Sequence, residues 1–152
     1  MTTLASTLTT RFGAIEFIDD DIIHLCGGIL GFPDGERFVL VQHKEGSRFR
    51  WLQSLDDPKL AFLVVDPAEF FANYAPEITD KLAADLGLNE ETPRLVYTIV
   101  TIPRGQPEAM TANLAGPIVI NLETRKGVQV IIEDPAVGIK HPLGVISQQS
   151  AA

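Results

Sequence analysis

The sequence predicts an all-β fold, a small antiparallel barrel-like domain with one or two short helices. Three observations predict it. Short apolar and β-branched runs recur along the chain, and glycine (12) and proline (10) punctuate them with turn signals. Only one stretch carries a clear helical period. The run Trp51–Pro67, WLQSLDDPKLAFLVVDP, holds an almost unbroken apolar strand that reads as buried on both faces.

That run is the centre of the domain, and it reads as strand, tight turn, strand. Trp51, Leu52 and Leu55 precede the turn Asp56-Asp57-Pro58-Lys59. Both aspartates can accept backbone N–H groups, and Pro58 presets its own φ and removes a donor. Leu60 to Val65 follows without a polar member, and Asp66-Pro67 stops it.

The remaining elements are expected in the following order. Met1 to Thr10 is rich in threonine and serine with little to bury, so 1–10 is expected to be a disordered, frayed end. Arg11 to Phe17 is a first strand. Asp19-Asp20-Asp21 turns the chain, and Ile22 to Leu25 returns. The triple aspartate lacks the alternating oxygens, glycine and terminal glutamate of a calcium loop, so a solvated turn is expected. Gly27 to Gly35 is glycine-rich but matches neither phosphate-binding spacing. Within it Phe32 is expected to plug the core. Arg37–Gln42 and Phe49–Ser54 form a hairpin across Lys44-Glu45-Gly46-Ser47. After Pro67, Phe70, Phe71 and Tyr74 are expected to close a lid over the open end of a sheet, because contiguous exposed apolar patches are uncommon. Ile78, Leu82 and Leu86 share one face of a helix over Thr79–Leu86, capped by Thr79 and ended by Gly87. Arg94–Ile102 is a long β-branched strand. Glu108–Leu114 is a connector. Pro117–Asn121 and Val128–Ile132 make a second hairpin around a turn in which Gly127 supplies positive φ. His141-Pro142-Leu143 is the last structured piece, so the domain is expected over 11–143 with a C-terminal tail at 144–152.

The bulk properties bound the function. A chain of 152 residues buries roughly 70% of its unfolded surface, enough for one core without staples. The net charge of −8 repels phosphate backbones, which argues against direct nucleic-acid binding; it would speed encounter with a basic partner, and it also serves solubility. A single cysteine, Cys26, excludes an intrachain disulfide and a thiolate cluster, and it is expected to be a buried, inert thiol. The N-terminus lacks a secretory pattern, and no run approaches the ~20 apolar residues of a membrane span, so a cytoplasmic location with no membrane contact is expected.

No catalytic set is visible. His24, His43 and His141 have no ligand spacing, and Ser47 and Ser54 lack a nucleophile elbow, so no catalytic residue, metal or cofactor is assigned. Asp56 and Asp57 read first as turn formers, then as contacts for a basic partner, and last as an acid–base pair. Asn113 either locks its connector to the sheet or offers its amide to another chain's backbone. Arg125 and Lys126 at a hairpin tip are either solvated or available to an acidic partner segment.

Several stretches resemble the FliW family of flagellar assembly factors: GFPDGERFVLV, WLQSLDDPKLAFLVVDP, MTANLAGPIVIN and RKGVQVIIEDPAVGIKHPL, in order from about Arg11 to Leu143. The resemblance implies a small β-barrel-like fold without enzymatic activity. It implies binding of flagellin and, after flagellin is exported, binding and antagonism of CsrA, a small basic RNA-binding dimer that represses flagellin translation. Carried over at matched positions, Asp56 and Asp57 of SLDDP, Asn113 of MTANL and Arg125 of TRKG are the implied partner-binding residues. The family pattern close to FPEGIPGF is replaced here by Leu25 to Phe32 without its two prolines, so this loop is expected to be less rigid. Two other readings are set against this one. A small β-fold enzyme or ligand binder would show a deep polar pocket with clustered His, Asp and Glu. An RNA-binding barrel would need a basic, aromatic face, which 12 Lys and Arg against 20 Asp and Glu oppose.

Overall fold

The computed structural model describes residues 4–32, 35–42, 44–71, 74, 76–132, 138 and 140–143. His43, Glu133-Asp134-Pro135 and the expected tail at 144–152 lie outside them. The described elements are β1 (Ala5–Thr9), β2 (Gly13–Phe17), β3 (Ile23–Leu25), β4 (Arg37–Gln42), β5 (Phe49–Ser54), β6 (Ala61–Val65), α1 (Asp80–Leu86), β7 (Arg94–Thr101), β8 (Thr111–Ala112), β9 (Ile118–Asn121), β10 (Lys126–Gln129) and β11 (His141–Pro142).

Strands β7-β6-β5-β4-β3-β10-β9 follow one another by pairing, and β9 pairs back with β7, which closes a seven-stranded barrel. Closure pairs most of the strand edges that an open sheet would expose. The pairings are antiparallel except β3 with β10, where Lys126 and Gly127 run parallel to His24 and Leu25. β8 and β11 extend the sheet from the far end of β7.

The barrel interior is apolar. Ile23, Leu25, Phe38, Leu52, Val64, Ile118 and Ile120 fill it, backed by Leu40, Phe62, Leu95, Tyr97 and Ile99. Side chains alternate along each strand, so a second set faces outward and needs its own cover. Leu63, Val65, Val100 and Ala112 meet Phe70, Phe71, Tyr74 and Leu143. Val119, Val96 and Val128 meet Ile78, Leu82 and Leu86 of α1. This explains the uninterrupted apolar run of β6, in which Val64 points into the barrel while Leu63 and Val65 point into the outer cluster. The aromatics do form a cover, but over the outer face of β6 and β7 rather than over an open end of the sheet, fastened by Tyr74 Oη donating to the Leu114 carbonyl at 2.7 Å. The helix is short, and it is held by its caps and its packing. Thr79 Oγ1 accepts from Leu82 N, and Gly87 takes a left-handed φ of 69° at the C-cap.

Five further expectations are corrected. The N-terminal segment is not frayed at Ala5–Thr9, which pairs along its length with β2. Its threonines hold the turn: Thr9 Oγ1 donates to Gly13 O and accepts from Phe12 N, while Thr10 N bonds Pro58 O. β3 does not return along β2; it lies between β4 and β10. β10 starts at Lys126 rather than Val128, and the positive φ of its turn falls on Arg125 (62°), not on Gly127. Gly127 instead sits where three strands meet, and a Cβ there would lie 2.9 Å from both Leu25 Cδ2 and Val119 O. Phe32 does not plug the core: it is 45% exposed and leans edge-on against Phe62. Cys26 is exposed, not buried, because it follows β3 into a turn where Gly27 and Gly28 take positive φ before Ile29 returns to the core.

Candidate functional site

The four residues implied by the resemblance fall in three places. Asp56 and Asp57 lie in the β5–β6 turn. Ser54 Oγ accepts from the N–H groups of both, at 3.0 and 2.9 Å, and Asp57 Oδ1 accepts from Lys59 N. The Asp56 carboxylate reaches back to the start of β4. Oδ2 accepts from Glu36 N and Arg37 N, and Oδ1 from Arg37 Nε, each at 3.0 Å. Desolvation raises the affinity of this carboxyl for its proton, but hydrogen bonds from Arg37 and Glu36 and the Arg37 charge outweigh it, so its pKa lies below 3.8. The Asp56 oxygens are thus spent on the protein itself, and both aspartates line a recess of about 390 Å³ with Gly31, Phe32, Gly35, Pro58 and Leu60. That recess joins an exposed aromatic ring to a carboxylate, the chemistry of a protein contact.

Asn113 lies beyond β8. Its N–H bonds Ile99 O and its Oδ1 accepts from Ala115 N, so it fastens the connector to the end of β7. Arg125 lies between β9 and β10. Its guanidinium donates to Asp21 O at 3.1 Å, and its buried Nε has no partner among the described residues. It closes one side of a cavity of about 230 Å³ between the β1–β2 hairpin and the outer face of β4, lined also by Ile15, Phe17, Val39 and Val41. The structure does not bring the four residues to one point.

Sequence reasoning missed Asn121. Its side chain is buried and links three elements: Nδ2 donates to Leu86 O at the end of α1, and Oδ1 accepts from Glu123 N and Thr124 N. An asparagine ending an apolar strand just before a turn is a local signal for such a role. It also missed the exposed side chains of Leu4, Leu8, Leu30 and Ile131. Among the described residues no group of three His, Cys, Asp or Glu side chains is placed to hold a metal ion, and no helix is long and apolar enough to cross a membrane.

The comparisons with known proteins agree with this architecture. The model of the FliW protein family matches residues 6–143. The chain belongs to the FliW family. Flagellar assembly factor FliW of Magnetococcus marinus is 43% identical over 125 residues, covering 82% of this chain and 77% of the relative. The FliW of Moorella thermoacetica is 40% identical over 136 residues, covering 90% and 86%. A crystal structure of the flagellar assembly factor FliW superposes with a TM-score of 0.83 at 34% identity, covering 91% of this chain and 96% of that one. The fold expected from the FliW resemblance is therefore the fold observed, and the FliW relatives are named as assembly factors, not as enzymes.

Proposed function

We propose that this protein is a non-enzymatic, cytoplasmic flagellar assembly factor that binds flagellin and, once flagellin has been exported, binds CsrA and relieves its repression of flagellin synthesis. The observation that carries the reading is the family match across 6–143, which spans the barrel and both outer clusters. The charge supports it. A net −8 protein is attracted to a basic dimer and repelled by the RNA that the dimer binds, so it can antagonise an RNA binder without competing as an RNA binder itself. The site supports it too, since the recess beside Asp57 joins the exposed Phe32 ring to carboxylates, the chemistry of a protein contact. In this reading Asp57 and Phe32 meet the partner directly. Asp56 positions their loop, Asn113 holds the connector beyond β8, and Arg125, its Nε buried, shapes the recess between the β1–β2 hairpin and β4.

The test is calorimetric titration of the full chain with the host's CsrA and, separately, its flagellin, at low and physiological salt. CsrA binding that weakens with salt is expected, because exposed charges are screened. Flagellin binding alone would reduce the role to that of a chaperone. No binding of either folded partner would overturn the proposal.

A further inference from the structure

The barrel has a seam that does not close. β6 and β7 pair only at Val64 with Ile99 and at Val65 with Thr98. Continued in the same register, Leu63 would face Val100 and Ala61 would face Ile102. Those pairs are not made. β7 turns instead to β8 on its other edge, where Val100 pairs with Ala112 and Thr101 with Thr111. The strands splay, and a groove of about 610 Å³ opens between them, lined by Arg11, Trp51, Ala61–Leu63 and Ile99–Ile102.

The backbone directions follow from the neighbouring ladders. Ser54 N bonds Leu60 O, so by antiparallel alternation Phe62 and Val64 direct their main-chain groups to β5, and Ala61 and Leu63 direct theirs into the groove. Asn113 N bonds Ile99 O, so Val100 and Ile102 likewise face the groove. Two strand edges therefore face each other, and among the described residues neither is paired there. An unpaired edge is a template for an added strand. The walls are apolar, with Ile102 44% exposed. At one end stands the exposed guanidinium of Arg11, held 4.2 Å over the Trp51 ring by the tip of the β1–β2 hairpin.

We infer that this groove receives an extended segment of a partner protein, paired as a strand on the β6 edge, with alternate apolar side chains and a carboxylate placed for Arg11. Edge pairing explains why the occupant is an extended chain rather than a helix or a small molecule. Arg11, a cation on a chain of net charge −8, selects a carboxylate on the occupant. The inference deepens the partner-binding reading above and takes from it only the identity of the partner.

The test uses the full chain and a synthetic capped hexapeptide, Val-Thr-Val-Thr-Val-Asp, followed by amide hydrogen exchange and nuclear magnetic resonance. A twin peptide carries proline at the third position and lacks one main-chain donor. The first peptide is expected to slow exchange at Ala61 and Leu63, and the twin to do so far less. Ile102→Asp and Arg11→Glu, both at exposed positions, are expected to weaken binding about tenfold each; Leu30→Asp, outside the groove, is expected to leave it unchanged. The same amides are then followed in mixtures with flagellin and CsrA. Partner binding with no protection at Ala61 and Leu63, and with Ile102→Asp as good as the parent, overturns the groove and leaves the proposed function standing. Failure of both partners with protection by the hexapeptide overturns the function and leaves the groove. Absence of protection by the peptide and by both partners overturns the inference. So does a dimer of this chain, seen by sedimentation and abolished by Ile102→Asp, since a second copy would then be the occupant.

Discussion

Replacing Gly127 with alanine adds a single methyl group at the point where the barrel closes. Its backbone pairs with Ile120 of β9 on one side and with Leu25 of β3 on the other. The new Cβ would stand 2.9 Å from Leu25 Cδ2, 2.9 Å from the Val119 carbonyl oxygen and 3.0 Å from Ile120 Cγ1. Leu25 and Ile120 are fully buried, and the carbonyl is main chain, so none of the three can yield freely. Overpacking of this kind costs about 1–3 kcal/mol. The alanine also removes freedom from the unfolded chain, a stabilising term of roughly 0.4–1 kcal/mol. The net expectation is a loss of about 1–2 kcal/mol, read as a lower urea midpoint at unchanged slope, or as a melting temperature reduced by roughly 2–8 °C. Gly116→Ala is the internal control. Its Cβ would lie 2.8 Å from Gln129 Nε2 and 2.9 Å from Asn113 Nδ2, side-chain ends that can move at the expense of part of their hydrogen bonding but without displacing main chain. It is expected to cost less than the Gly127 change. If Gly127→Ala is as stable as the parent, or if Gly116→Ala is the more damaging of the two, the reasoning is refuted.

Three further outcomes are expected. Asn121→Ala should destabilise the fold by about 2–4 kcal/mol in urea titrations, because it leaves the Leu86 carbonyl and the Glu123 and Thr124 N–H groups without their buried partner; a loss within error would show that water replaces the amide. Asp56 has a folded pKa below its unfolded value, so its contribution is present above about pH 4 and is lost as pH falls through the folded value. Asp56→Asn should flatten that part of the stability profile, and an unchanged acid limb would sink the assignment. Burial pushes the Tyr74 phenol up to about 12, which is above its unfolded value, so its contribution is complete below about pH 10 and is lost as pH rises toward 12; ultraviolet titration of Tyr74→Phe should lack one late-titrating phenol, and loss of an early one would contradict the packing.

What was legible in the sequence was local. The β4–β5 and β5–β6 hairpins are built from neighbouring runs joined by turn residues, and both form at the expected positions. The helix was legible because its period and both caps lie within a few residues of one another. The misreadings concern partners distant in sequence. The pairing of β3 with β10 joins segments about a hundred residues apart, and nothing near Ile23 announces it. The β1–β2 hairpin was missed because its stability rests on threonine hydroxyls and on Pro58 rather than on an apolar pattern. Gly127 was read by the usual preference of glycine for positive φ, whereas here the missing side chain matters and the φ does not. At the candidate site, SLDDP marked a real turn, but its chemistry divides. Both aspartates line the recess, but the Asp56 carboxylate is consumed by Arg37 and by the backbone at the start of β4.

Three ladders of the barrel are two residue pairs long, β3 with β4, β3 with β10 and β6 with β7. The β3–β10 and β6–β7 seams differ in what fills them, and the difference bears on function. At the first seam the bare backbone of Gly127 lets Leu25 and Ile120 close over the junction, so a short ladder is backed by core packing. At the second, β7 gives its far end to β8, and the residues that would have continued the ladder line an open groove. A closed barrel hides its backbone and offers a partner only side chains. A barrel closed at one seam and parted at the other keeps its core intact and still presents main-chain hydrogen-bonding groups at Ala61 and Leu63. Stability and recognition therefore fall on different seams. Loosening the first should lower stability with little change in partner affinity for the fraction still folded, and altering exposed residues at the second should do the reverse.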